Sequence, residues 1–164
     1  MADLTYRPLR SDDFDALHAM VSHWAVTRQL GGWPWPADPA FTLSRCKPYD
    51  AAQGEGFVWA ICVDDRLIGT LGVTGGAVGY MLDPAWHGQG IGTQALRHGI
   101  ASAFATRTRD HLTAVTWADN AASRALLLNH GFTHWHTRYE RAKARGVPAL
   151  CYHYRLTRAD WGSV

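Results

Sequence analysis

The chain has 164 residues, of which 47% are hydrophobic and 18% charged, and its formal net charge is +2. These values predict one globular domain over residues 1–164, exclude a disordered chain and argue against nucleic acid as a partner. The three cysteines lack CxxC or Cys/His zinc spacing, so we expect neither a disulfide framework nor a structural metal. No apolar run suits a membrane span or a signal peptide, which predicts a cytoplasmic protein without a membrane partner.

The N-terminal third predicts one strand followed by helical segments. Ser11, followed by two acidic residues, is typical of a helix N-cap, and hydrophobic residues then recur at helical spacing. Three prolines and two glycines within 31–39 exclude regular structure in that segment. The predicted elements are a strand over 4–9 and helices over 14–21, 24–30 and 40–50.

The rest of the chain predicts a three-stranded meander and then alternating helices and strands. Asp64-Asp65-Arg66 and Gly75-Gly76 are typical of the turns within the meander. Gly131 after a helical run is a typical helix stop. The predicted strands are 57–63, 67–73, 77–82, 111–117, 132–139 and 150–156, and the predicted helices are 90–106 and 120–130. This order predicts a mixed α/β fold.

The most informative segment is the glycine-rich turn between the third meander strand and the helix after it. Gly88, Gly90 and Gly92 leave little side-chain bulk, so main-chain N–H groups can close on a bound anion. A helix that starts at about Gly90 directs its positive dipole end to the same point. The turn therefore predicts a phosphate or diphosphate site. The GxGxxG spacing of a Rossmann fold and the Gly-Lys-Ser/Thr of a P-loop are both absent.

Two motifs resemble those of the GNAT superfamily of acyl-CoA N-acyltransferases, and more narrowly its RimJ/RimL-like branch. His87-Gly88-Gln89-Gly90-Ile91-Gly92 is similar to the family's Gln/Arg-x-x-Gly-x-Gly/Ala signature, with His in the first position. Asn120-Ala121-Ala122-Ser123, followed by Gly131-Phe132, resembles the branch's Asn-x-x-Ser…Gly-Phe pattern. The resemblance implies a three-layer α+β (mixed α/β) fold. Its central twisted mixed sheet would have about seven strands, a splayed middle pair and about four flanking helices.

The resemblance also implies acetyl-CoA as cosubstrate. Main-chain amides of 89–93 would hold its diphosphate, and free backbone groups at 81–83 would pair with its pantetheine arm. Asn120 would contact the same arm, cap its helix, or do both. For Asp83 the alternative to cofactor binding is a role as a turn residue. The implied cofactor-binding residues are Met81, Leu82, Asp83, His87, Gly88, Gln89, Gly90, Ile91, Gly92, Thr93, Asn120 and Ser123.

The implied reaction is attack of a primary amine on the thioester. Many family members place a Tyr acid seven residues after the Asn, and here that position is Leu127. Ser123 resembles the branch's alternative donor, and Tyr80 is a candidate to polarise the thioester or relay a proton. Glu140 is the candidate base, or else a surface partner of Arg138 or Arg141. The chain has only two glutamates, Glu55 and Glu140, so few carboxylates are on offer as a base. This favours an α-amine as acceptor, because its lower pKa leaves a larger neutral fraction than that of a lysine-like amine.

A homodimer is left open. The acceptor is expected to be a protein N-terminus, an amino acid or another small amine. Trp33 and Trp35 would wall its pocket, or would anchor their loop. His134 and His136 are predicted on one face of a strand without a third ligand, so no metal is expected. A basic segment from Arg138 to Arg145 would attract an acidic acceptor or be a solvated loop. The alternative function is a non-catalytic acyl-CoA binding or sensor module.

Overall fold

A seven-stranded mixed sheet with helices on both faces forms the framework. The computed structural model describes residues 3–106 and 108–162, and the statements below concern those residues. The elements in chain order are β1 Thr5–Pro8, α1 Phe14–Val21, α2 Trp24–Thr27, α3 Pro39–Arg45, β2 Gly56–Val63, β3 Arg66–Thr74, β4 Ala77–Leu82, α4 Ile91–Ala105, β5 His111–Trp117, α5 Ala121–Leu128, β6 Thr133–Arg141, β7 Pro148–Thr157 and α6 Arg158–Trp161.

The sheet has the strand order β1-β2-β3-β4-β5-β7-β6. The first four strands pair antiparallel, and so do β5 with β7 and β7 with β6. The central pair, β4 and β5, is parallel and is joined only at Ala77↔Thr113 and Val78↔Ala114. Beyond Val78 the two strands diverge. The predicted sheet with a splayed middle pair is therefore confirmed.

The helices form one layer on each face of the sheet. Leu96 and Ile100 of α4 pack with Leu127 of α5 on one face. Leu17 of α1 and Val26 of α2 pack on the other face. The small residues of α4 allow close packing on the sheet. A methyl group added at Gly99 would lie 3.0 Å from the side chain of Leu71 in β3. Glycine thus lets α4 lie directly on the sheet.

The N-terminal helix covers the predicted residues 14–21, but the predicted Ser11 cap does not form. Ser11–Asp13 form a single 3-10 turn, and α1 starts at Phe14. The Asp13 carboxylate, rather than the Ser11 hydroxyl, caps this turn by accepting a hydrogen bond from the Arg10 amide at 2.9 Å. The same carboxylate accepts two hydrogen bonds from the Arg7 guanidinium, at 2.7 and 2.9 Å. The buried ion pair therefore ties β1 to the start of α1.

Three other elements differ from the sequence predictions. The second helix is only Trp24–Thr27, α3 ends at Arg45 because the chain leaves helical geometry at Cys46, and the short helix α6 was not predicted. No helix among residues 3–106 and 108–162 is long and apolar enough to cross a lipid bilayer.

The prediction that His134 and His136 share one strand face is wrong. The pairing of β6 with β7 shifts at this point, so that His134 faces Tyr154 and His136 faces His153. These two partners are consecutive on β7 and therefore point to opposite faces of the sheet. The extra residue, Trp135, is a β-bulge that sends the two histidines to opposite sides.

Candidate active site

The glycine turn holds main-chain amides open at the end of β4. Gly88 and Gly90 have φ angles of +73° and +76°, a left-handed conformation that favours glycine. Gly90 is the N-cap of α4, and its carbonyl accepts the hydrogen bond from the Gln94 amide at 3.1 Å. The amides of 91–93 therefore belong to the first helical turn, where no intrahelical acceptor exists. A methyl group added at Gly88 or Gly90 would meet no atom within 4 Å, so this surface is open.

Side chains of the turn brace it from within. The His87 Nε2–H donates to the Leu82 carbonyl at 3.0 Å, and the Gln89 side-chain amide donates to the Ala85 carbonyl at 3.0 Å. The Asp83 carboxylate accepts from the Ala85 amide at 2.9 Å, as expected of a turn residue. These three side chains hold the backbone of the turn in place. His87 therefore helps to fix the shape of the turn.

The gap between β4 and β5 extends along β4 to the start of this turn. Pairing between the two strands ends at Val78, so the edge of β4 from Gly79 to Leu82 that faces β5 has no strand partner in the described chain. On its other edge the same segment pairs fully with β3. Within the segment 81–83 that was predicted to be free, however, the Asp83 amide donates to the Ile68 carbonyl at 2.9 Å, and the Leu82 carbonyl accepts from His87. The groups left for an extended polar ligand are the remaining ones on the unpaired edge from Gly79 to Leu82.

A hydrogen bond between Tyr80 and Ser123 joins β4 to α5 across this gap. The two hydroxyl oxygens lie 2.7 Å apart, and either can donate. Burial raises the pKa of Tyr80 to about 12, so the phenol keeps its proton at neutral pH. The Asn120 side chain caps α5 by accepting from the Ser123 amide at 3.1 Å, which fixes the position of Ser123. Two sequence-predicted catalytic residues therefore meet.

His130 links the two helices that frame the site, and sequence reasoning missed this role. Its buried ring places Nδ1 2.7 Å from the Leu126 carbonyl and Nε2 3.1 Å from the Thr93 carbonyl. The first of these lies in α5 and the second in the first turn of α4. The imidazole thus fixes the anion-facing end of α4 relative to α5. No spacing in the sequence indicated a contact between residues so far apart.

A cleft of about 750 Å³ lies over β2, β3 and β4. Trp33 lines it together with Arg45 and Tyr49, and β4 contributes Gly79 and Met81 to its floor. Met81 packs with α1 and α2, so the cleft is on the sheet face opposite α4 and α5. The gap between β4 and β5 is the point at which the glycine-turn side and this cleft approach each other.

Trp33, but not Trp35, lies on the cleft wall. Trp33 packs edge-on against Phe41, with ring centroids 5.2 Å apart. Trp35 lies outside the lining and packs against Trp24, with centroids 5.1 Å apart. Of the two predicted roles, Trp35 therefore has that of anchoring its own loop. Trp33 is placed to contact a ligand in the cleft.

Glu140 lies away from Tyr80 and Ser123. Strands β5 and β7 separate its strand, β6, from β4, which corresponds to roughly 14 Å at the usual strand spacing. Its carboxylate accepts a hydrogen bond from the Arg138 Nε–H and lies 3.0 Å from Nε2 of His153. The surface ion pair that the sequence left open is thus present, and the structure does not place Glu140 beside the other two candidates.

The basic segment 138–145 is largely engaged by the protein itself. Arg138 pairs with Glu140, and Arg145 pairs with Asp119 at 2.8 Å. The ammonium of Lys143 lies 4.9 Å from the centre of the Phe41 ring. Arg145 and Lys143 hold the β6–β7 hairpin against neighbouring segments, whereas the Arg138 pair lies within β6.

Comparison with known proteins identifies the family. Residues 3–133 match the family model described as an acetyltransferase (GNAT) domain. No curated protein matches the sequence significantly.

Several solved structures share the fold. Mycobacterium smegmatis RimJ in complex with CoA-disulfide has a TM-score of 0.79 and 18% identity, covering 96% of this chain and 83% of that chain. The Salmonella typhimurium acetyltransferase that modifies the N-terminal serine of ribosomal protein L7/L12 has a TM-score of 0.74 and 20% identity, covering 94% of both chains. AAC(6')-Ib in complex with ribostamycin and coenzyme A has a TM-score of 0.76 and 16% identity, covering 98% of this chain and 96% of that chain.

The family match spans most of the sequence, and the fold of the matched structures agrees with the resemblance predicted from the two motifs. The chain therefore belongs to the GNAT family of acetyltransferases, which are acyl-CoA N-acyltransferases.

Proposed function

We propose that this protein transfers the acetyl group of acetyl-CoA to the α-amine of a peptide or small molecule. The observation that carries the proposal is the Tyr80–Ser123 hydrogen bond, 2.7 Å long, at the gap that opens beside the glycine turn. An anion site, an unpaired strand edge and a half-buried hydroxyl pair lie next to one another, on β4 and the turn that follows it. Acetyl-CoA has the matching order of diphosphate, pantetheine amides and thioester.

In this proposal the backbone binds most of the cofactor. The amides of 89–93 hold the diphosphate, aided by the positive end of the α4 dipole. The edge of β4 that has no strand partner, from Gly79 to Leu82, pairs with the pantetheine amides. Asn120 keeps its capping role and presents its side-chain amide to the same arm. His130 holds the two helices at the spacing that this binding requires.

The hydroxyl pair then acts at the thioester. The neutral amine attacks the carbonyl carbon, a C–N bond forms, the C–S bond breaks, and the amine proton leaves to solvent. Tyr80 or Ser123 donates a hydrogen bond to the thioester oxygen or to the leaving sulfur, where negative charge develops. Because a thiol has a pKa near 8.5, judged from cysteine, the leaving group needs little acid assistance.

The acceptor reaches the thioester from the cleft on the opposite face. Trp33 offers an apolar wall there, and Arg45 and Asp50 are among its charged lining residues. We assign no proton transfer to Glu140, because its carboxylate is paired with Arg138 and His153. Without a dedicated carboxylate base, an α-amine with a pKa near 8 is a better acceptor than a lysine-like amine near 10.4. Acetylation of an N-terminal serine by the Salmonella neighbour is consistent with this choice.

The test is acetyl-CoA-dependent thiol release with a panel of amines, together with calorimetric binding of CoA. We expect turnover with peptides or amino acids that carry a free α-amine, and little with polyamines. Activity on polyamines alone would contradict the α-amine assignment. Binding of CoA without turnover on any amine would favour a non-catalytic acyl-CoA binding module.

A further inference from the structure

Three potential metal ligands converge on the β6–β7 hairpin. Cys151 and His153 are two residues apart on β7 and therefore share one face of the sheet. Glu140 reaches them from β6. The Cys151 Sγ lies 3.6 Å from His153 Nε2, which lies 3.0 Å from a Glu140 carboxylate oxygen. All three ligand atoms lie within 4.8 Å of one another.

Two of these distances are close to those between neighbouring ligands of a tetrahedral zinc ion. Zinc bonds of about 2.0–2.3 Å place neighbouring ligand atoms roughly 3.3–3.6 Å apart. The spacing between sulfur and nitrogen already matches, and the carboxylate oxygen, which lies within 4.8 Å of the sulfur, completes the set by a side-chain movement of about 1 Å. Thiolate, imidazole and carboxylate are the three side-chain ligand types that zinc binds in proteins. Cys151 and His153 are buried, so the protein already holds both in place.

A cation already occupies this position. The Nε–H of Arg138 donates to the Glu140 carboxylate and to His153 Nε2, the latter at 3.1 Å. The Arg138 side chain is 59% exposed, so it can swing into solvent when another cation arrives. The ring of His136 stacks on His153, with centroids 4.2 Å apart, which fixes the ligand imidazole.

We propose that Cys151, His153 and Glu140 form a zinc-binding site with one open coordination position, where Zn²⁺ replaces the guanidinium of Arg138. The Cys151 thiol loses its proton to solvent as the S–Zn bond forms, and Arg138 moves into water. The site crosslinks β6 to β7. Strand β5 and the rest of β7 separate it from the Tyr80–Ser123 pair, so it does not depend on the proposed acetyl transfer. His134 and His136, on which the prediction of no metal rested, are separated by the β-bulge and are not ligands of this site.

The first test is titration of the metal-free protein with Zn²⁺ in a calorimeter, with Co²⁺ as a spectroscopic probe. We expect one Zn²⁺ per chain and a thiolate-to-cobalt charge-transfer band in the near ultraviolet. Cys151→Ser should weaken zinc binding at least tenfold and abolish the band. Cys46→Ser is the matched control, because both cysteines are buried and each thiol donates to a backbone carbonyl, Cys46 to that of Thr42 and Cys151 to that of Arg138. That variant should bind zinc like the wild type.

A second variant tests the displacement step. Arg138→Gln removes the competing guanidinium and should bind Zn²⁺ more tightly than the wild type, with a larger zinc-induced rise in Tm. Circular dichroism of each variant shows whether it folds, and His153→Asn provides a second ligand deletion. The proposal is overturned if Zn²⁺ fails to bind, if Cys151→Ser and His153→Asn both bind it like the wild type, or if Arg138→Gln weakens it.

Discussion

Replacing Gly90 by alanine separates backbone strain from loss of the anion site. Gly90 has a φ angle of +76°, and an alanine there costs about 1–2 kcal/mol because of its Cβ. For a chain of this length that cost lowers Tm by about 2–8 °C. The added methyl group would meet no protein atom within 4 Å, so it projects into the open space that we assign to the diphosphate.

The matched control is Gly146→Ala. Gly146 has a φ angle of +70°, an added methyl group would likewise meet nothing within 4 Å, and the residue lies between β6 and β7, away from α4. Both variants should lose similar stability. Only Gly90→Ala should lose affinity for CoA. Loss of one hydrogen bond to a charged phosphate costs about 1.5–3 kcal/mol, which raises Kd roughly 10- to 140-fold.

Calorimetry with CoA and a thermal melt of each variant measure the two effects. Equal affinity of Gly90→Ala and Gly146→Ala for CoA, with equal Tm losses, would refute the assignment of the diphosphate to this turn. A lowered affinity in both variants would show that strain alone, transmitted through the fold, weakens binding.

Three further predictions concern single side chains. Tyr80→Phe should lower kcat by at least tenfold and leave the KM for acetyl-CoA nearly unchanged, since it removes one hydroxyl at the reacting end; steady-state kinetics measures both, and an unchanged kcat would contradict the role. Glu140→Gln should leave kcat nearly unchanged, because we assign no proton transfer to this residue. A hundredfold loss of kcat would show that Glu140 is the base after all. Asp13→Asn should lower the free energy of unfolding by about 1–3 kcal/mol, because it leaves Arg7 without its buried partner. Burial acts to raise the pKa of Asp13, but the hydrogen bonds from Arg7 and Arg10 outweigh it and lower that pKa below its usual value. The stabilisation is therefore complete above about pH 4, the unfolded value, and is lost as the pH falls through the lower folded pKa. Urea unfolding should show the gap between wild type and Asp13→Asn narrowing in acid, and a gap that stays constant would contradict this account.

The parts of the site that could be predicted are those encoded locally. Gly88 and Gly90 adopt left-handed conformations that their neighbours dictate, and Asn120 caps the helix that it precedes. The element order follows from periodicity and turn residues, which act over a few positions. The two motifs then indicate the family, and the splayed sheet was predicted from the resemblance to that family.

The parts that could not be predicted depend on contacts between distant segments. The ring of His130 meets the Thr93 carbonyl only after α4 and α5 have packed together. Trp135 shifts the register of β6 by one residue, and a one-residue shift reverses which face a side chain takes. Cys151 and His153 were two residues apart in a predicted strand, so their shared face could have been found. Their meeting with Glu140 required the hairpin register.

The central claim is that the amides following His87 bind the diphosphate of coenzyme A. Hydrogen–deuterium exchange of the wild-type protein, with and without saturating acetyl-CoA, tests it most directly. We predict slowed exchange in a peptide covering residues 87–94, and unchanged exchange in a peptide covering the hairpin 141–147. Saturation of the protein by acetyl-CoA with no slowing in residues 87–94 would contradict the claim.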